Sequence, residues 1–141
     1  MTQPKAIWRK VVILALMGGL GFWLTNFAIS LTPIAAEYRA GVSISYFPML
    51  LEALVGGLIV GFSVSFFLLR FFDKIPTKNS IFKSVILSLI ALVIVTIVLE
   101  VPSHFLTSSS DPMHYFLIGL LINVLRILAL GVVIGYLYKS V

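Results

Sequence analysis

Arg126 stands near the middle of a long apolar run, Tyr115–Tyr138. An arginine at the centre of a membrane helix costs roughly +2.5 to +3.5 kcal/mol on insertion scales. The fifteen Leu, Ile, Val and Phe residues of this run offset that with at most about −4.5 to −9 kcal/mol. The run therefore inserts, and its charge seeks a partner. Direction selects one. Helical side chains lean toward the helix N-terminus, so Arg126 and Glu100, on runs that cross in opposite senses, lean toward each other. Glu100 is the preferred partner for an ion pair and Glu52 the second choice.

Further polar residues fall at the same depth. Asn26 and Ser30 share one face of the first run, Thr96 shares a face with Glu100, and Asn123 precedes Arg126 by one turn. Two readings of the cluster Asn26, Glu52, Glu100, Asn123 and Arg126 stand side by side. One is a polar pocket or pathway opening outward, since ionisable groups inside a membrane are functional candidates by default. The other is a structural ion pair, with its hydrogen-bonding neighbours, that fixes helix register.

The remaining reactive side chains form no pattern. His104 and His114, with Asp111 and Glu100 nearby, match no strong metal-ligand spacing and read as loop histidines. No G-x-S-x-G, H-E-x-x-H or P-loop occurs, and no catalytic, cofactor or metal residue is assigned. The chain has no cysteine, which excludes thiol–disulfide chemistry and cysteine-ligated zinc or iron–sulfur sites.

The elements that must position these residues follow from composition. Of 141 residues, 60% are hydrophobic and 11% charged. A soluble domain of this size has no interior large enough to bury so much apolar surface. Four apolar runs, about Val11–Leu31, Met49–Phe72, Ser84–Val101 and Tyr115–Tyr138, each approach the roughly 20 residues that span a hydrocarbon core. The expected fold is an all-α integral membrane protein, a single four-helix transmembrane bundle over residues 1–141. The first run exceeds the apolar stretch of a signal peptide and reads as an uncleaved helix. Asp111-Pro112 reads as an N-cap followed by proline at the first helical position, and Asn79-Ser80 can cap the third helix. Pro33 and Pro102 lie where the first and third helices should end, although the third can continue toward Phe105.

The net charge of +5 belongs to helix ends, not to a nucleic-acid surface. Lys5, Arg9, Lys10, Arg70, Lys74, Lys78, Lys83 and Lys139 all fall on one side. Arg39 alone falls on the other. The positive-inside rule then places both termini in the cytoplasm. Trp8, Phe71, Phe72, Tyr136 and Tyr138 form the inner aromatic belt, and Tyr38, Tyr46, Phe47, Phe105 and Tyr115 the outer one. The source membrane stays open. The lipid bilayer is the expected partner, with a homo-oligomer or a second membrane protein as further candidates, and no nucleic acid.

Small residues mark packing faces, because close backbone approach holds helices together in lipid. Ala53, Gly57, Gly61 and Ser65 form a stripe on the second helix. Gly119, Asn123, Gly131 and Gly135 lie on one on the fourth. The expectation is that helices two and four make the tight contact and that the third, poor in small residues, faces lipid over much of its circumference. Packing within one chain is preferred over dimerisation.

The leading function is a non-enzymatic subunit or interaction protein of a membrane assembly. The main rival is a small transporter or channel whose site is the cluster around Arg126. A membrane enzyme acting on lipid is a third, held back by the lack of a plausible nucleophile–base pair. The topology is directly testable. Ser109→Cys should react in intact cells with an impermeant thiol reagent and Thr77→Cys should not. Labelling of the second variant would overturn the charge-bias argument.

Overall fold

A computed structural model describes residues 4–42, 45–75, 78–105 and 111–140. Every regular element among them is helical. Helix α1 runs Pro4–Ser30, α2 Pro33–Val42, α3 Tyr46–Arg70, α4 Ser80–Val95, α5 Val101–Phe105 and α6 Pro112–Leu137. Four stretches are long and apolar enough to cross a membrane: Ala6–Ser30, Tyr46–Arg70, Ser80–Glu100 and Pro112–Leu137. The protein is thus an all-α, four-helix membrane bundle. One end holds Arg9, Lys10, Lys74, Lys78 and Lys139 and is called the basic end below. The short helix α2 lies at the far end.

Two elements depart from the sequence reading. The segment after Pro33 forms α2 instead of a loop. Thr32 accepts a hydrogen bond from the Ala35 amide at 3.3 Å, and Pro33 takes the first helical position, where its missing N–H costs nothing. A proline that ends one helix here begins the next. The third span also passes through Pro102 without breaking. It opens into a π-helical turn over Thr96–Glu100, in which the Val101 amide reaches back to the Thr96 carbonyl. Proline removes one helical donor and crowds the preceding turn, and a π turn is one way a helix absorbs such an insertion. Asp111 likewise differs from expectation. Its backbone is left-handed, at φ 53°, and its side chain makes no capping bond. Residues before proline are pushed out of the α region, and aspartate tolerates the left-handed one. The Asn79 cap is present, accepting from the Ile81 amide at 2.8 Å.

The spanning helices form a ring in which α1 packs on α3 and α6, and α6 on α4, while α3 and α4 meet less extensively. The small-residue stripes therefore do not meet each other. Gly57 and Gly61 face α1: added methyl groups would lie 3.2 Å from the Gly19 carbonyl oxygen and 2.9 Å from that of Ala15, respectively. Gly131 and Gly135 face α4, where added methyls would meet Ser88 Oγ and Ile81 Cα, both at 2.5 Å. The expected contact between the second and fourth spans is replaced by these two because the third span does carry a small face. Ser80, Ser84 and Ser88, four residues apart, are all buried, and Ser80 Oγ donates to the Gly135 carbonyl at 2.9 Å. The rest of that span, including Phe82, Ile86, Ile90, Val93 and Ile97, is exposed, as a helix with a broad lipid face requires.

The core is dry through the middle of the bundle and toward the basic end. Leu14, Val64, Leu68, Ile127, Leu130 and Ile134 are at most 2% exposed. The basic end is plugged by Lys83, whose amine donates to the Phe72 carbonyl and lies 3.5 Å from the centre of the Phe72 ring. That ring stacks on Tyr138 at 4.5 Å.

Glycine in a helix interior is ordinarily disfavoured against alanine by about 0.5–1 kcal/mol. Gly135→Ala should nonetheless destabilise the protein by about 1–3 kcal/mol, as overpacked sites do, because its methyl would meet backbone atoms of α4. Gly56→Ala, with nothing within 4 Å of the added methyl, should be neutral or slightly stabilising. Thermal unfolding in detergent measures both, and equal midpoints would contradict this packing.

Candidate functional site

Arg126 is half-buried on α6, and the two terminal nitrogens of its guanidinium donate to side chains from two helices. Its Nη1 donates to Asn26 Oδ1 on α1 at 2.8 Å, and its Nη2 donates to Asn123 Oδ1 one turn earlier on α6. The Phe22 ring lies beneath it, 4.6 Å from the guanidinium carbon, a distance at which a desolvated cation is attracted to the ring face. Asn123 uses both ends of its amide. Its oxygen accepts from Arg126 and its nitrogen donates to Glu100 Oε1 at 3.2 Å. Asparagine is suited to this place because one side chain carries an acceptor for the cation and a donor for the carboxylate.

Glu100 reaches this position from the last residue of the π turn. Gly119 leaves room for it. A methyl there would lie 3.3 Å from Glu100 Oε2 and 3.0 Å from the hydroxyl oxygen of Tyr38. Burial, and then the nearby Glu100 carboxylate, pushes the Tyr38 phenol from 10.0 up to about 12. It therefore stays protonated at neutral pH and can serve as a donor.

These groups line a cavity of about 70 Å³, room for a few water molecules. Its walls include all of the residues singled out from the sequence: Asn26, Glu52, Glu100, Asn123 and Arg126. It opens beside Glu52, which is exposed. Toward the basic end Phe22, Leu92 and Ile127 belong to the dry core, so the cavity is blind. Thr96 is not among the lining residues. Five buried polar side-chain atoms are without a hydrogen-bond partner among the described residues: Asn26 Nδ2, Arg126 Nε and the hydroxyls of Ser65, Ser84 and Thr96.

Sequence reasoning missed the roof. Helix α2 turns Ala35, 3% exposed, and Tyr38 onto the cavity. Tyr38 is therefore a wall residue of the cavity. The signal available was the pair Thr32-Pro33, a cap followed by an N1 proline, at the head of a mixed polar and apolar stretch. Polar contacts hold this helix on its outer side. Glu37 pairs with His114 at 2.8 Å, and Arg39 donates to the Ser30 carbonyl at 3.3 Å while its guanidinium carbon lies 5.0 Å from the Tyr46 ring centre. Tyr115 packs so closely over Gly41 that any side chain there would overlap its ring. His114 is thus engaged by a glutamate, while the side chain of His104 lies outside the described residues. Among the described residues no three metal-ligating side chains converge.

The chain matches no protein-family model, no curated protein and no solved structure. Its functional reading rests on the cavity.

Proposed function

We propose that the protein binds a small polar solute in this cavity, as a small transporter does in the state open to one side of the membrane. The carrying observation is the asymmetry of the bundle: a charged cavity roofed by α2, with Glu52 exposed at its wall, and a buried apolar core beyond it. The excess of lysine and arginine at the basic end supports a cytoplasmic position for that end, so the cavity faces outward. A continuous channel is less well supported, because the core around Leu130 and Ile134 is fully buried. Arg126 and Glu100 act as an ion pair with Asn123 between them, which holds α1, α6 and the π turn in register around the solute. The side chains bind and orient the solute and do not react with it.

The alternative is a non-enzymatic subunit that associates through its small-residue stripes. It has less support. Gly57, Gly61, Gly131 and Gly135 each face a helix of the same chain, which leaves those four positions no free surface for a partner helix. Single cysteines in this cysteine-free chain separate the readings. Ile122→Cys, in the cavity wall, should react from outside with an impermeant thiol reagent, as should Glu52→Cys at the mouth, while Leu130→Cys should stay unmodified. Reaction at Glu52→Cys without reaction at Ile122→Cys would mean a sealed, purely structural ion pair and would favour the subunit reading.

A further inference from the structure

We infer that the basic end carries a binding site for a phospholipid with a net negative headgroup, in the crevice between the start of α4 and the end of α6. It lies at the opposite end of the bundle from the solute cavity and does not depend on that reading. The crevice has a volume of about 460 Å³, and its walls include Lys78, Asn79, Ser80, Gly135, Tyr136 and Lys139. Packing fixes these walls. Ser80 Oγ donates to the Gly135 carbonyl at 2.9 Å, and a methyl on Gly135 would lie 2.5 Å from Ile81 Cα. A ligand there meets two helix ends already ordered against each other, which lowers the cost of binding.

Charge selects the headgroup. Two lysines line the crevice and no acidic side chain does. Both lysines are exposed, and neither meets a carboxylate among the described residues. Lys83 differs, being 5% exposed and already committed to Phe72. Ammonium groups bind phosphate oxygens through charge-assisted hydrogen bonds. A headgroup that adds an ammonium of its own finds no carboxylate here to receive it, so an anionic headgroup is preferred over a zwitterionic one. Depth selects a lipid over a soluble anion. Ser80 opens one membrane-spanning stretch and Leu137 closes another. Tyr136 is 70% exposed, and Val132, one turn deeper on the same face of α6, is 46% exposed. The crevice therefore continues onto an apolar surface that acyl chains cover, with the tyrosine at headgroup level. Basic pockets between helix ends at a membrane surface recognise anionic headgroups in this way.

Native mass spectrometry of the purified full chain in mild detergent, with phosphatidylglycerol and phosphatidylcholine at equal concentration, measures which lipid is retained. One phosphatidylglycerol should be retained over phosphatidylcholine by at least about fivefold, the worth of one lysine near an anionic surface. Lys78→Gln combined with Lys139→Gln should abolish the preference. Lys78→Arg combined with Lys139→Arg should keep it, which separates lost charge from lost fold. Arg9→Gln combined with Lys74→Gln removes the same charge from the same end, at exposed positions outside the crevice, and should leave the preference unchanged. An equal loss in both glutamine pairs would overturn the site in favour of diffuse attraction to the basic end. An unchanged preference in the Lys78 and Lys139 glutamine pair, or none in the native chain, would also overturn it. Displacement of the lipid by inorganic phosphate at the same concentration would overturn the lipid in favour of a soluble anion.

Discussion

A guanidinium held within a membrane-spanning helix is the constraint around which the α2 half of this protein is arranged. Its charge cannot be shed, because arginine stays protonated in proteins, and it cannot be left bare in a medium without water. Side chains from α1 and α6 contact it, and Glu100 is joined to it through Asn123. Helix α1 supplies Asn26 and the Phe22 ring, α6 supplies Asn123, and the end of the third span supplies Glu100. The carboxylate meets Asn123 from the last residue of the π turn, and the absence of a side chain at Gly119 leaves room beside it.

The other half of the bundle is held by different means. Where no charge has to be met, helices approach until backbones touch. The glycine rows of α3 and α6 meet Ala15 and Gly19 on one side and the serine row of the third span on the other. Such contacts leave no space for water. The polar half cannot close so tightly, because its side chains are larger and carry hydrogen-bonding groups that keep them apart. A cavity at one end and a dry plug at the other are therefore two consequences of where the polar residues lie along the helices.

Much of this was legible before any coordinates, for reasons specific to membranes. Apolar runs near 20 residues identify spans because lipid demands continuous helix, and all four spans are found. The polar cluster was legible because polar residues at membrane depth must find one another. Asn26, Glu52, Glu100, Asn123 and Arg126 do share one cavity. Which helix packs on which was not legible. Small residues mark a face without naming its partner, and serines at positions 80, 84 and 88 were overlooked beside a run of bulky aliphatics. Helix α2 was missed because Pro33 reads equally as a stop and as a start. The π turn was hidden because its cause, Pro102, lies beyond the residues it displaces.

The central claim is that Arg126 and Glu100 are held as one charge-compensated unit. The direct measurement is a double-mutant cycle on thermal or denaturant stability in detergent, with Arg126→Leu, Glu100→Leu and the two combined. Removing one partner of a buried pair typically costs about 3–5 kcal/mol, whereas replacing both with apolar residues is often nearly neutral. Each single variant should therefore lose stability and the double variant should recover much of the loss. A double variant no more stable than the worse single one would contradict the pairing and leave Glu52 as the counter-charge.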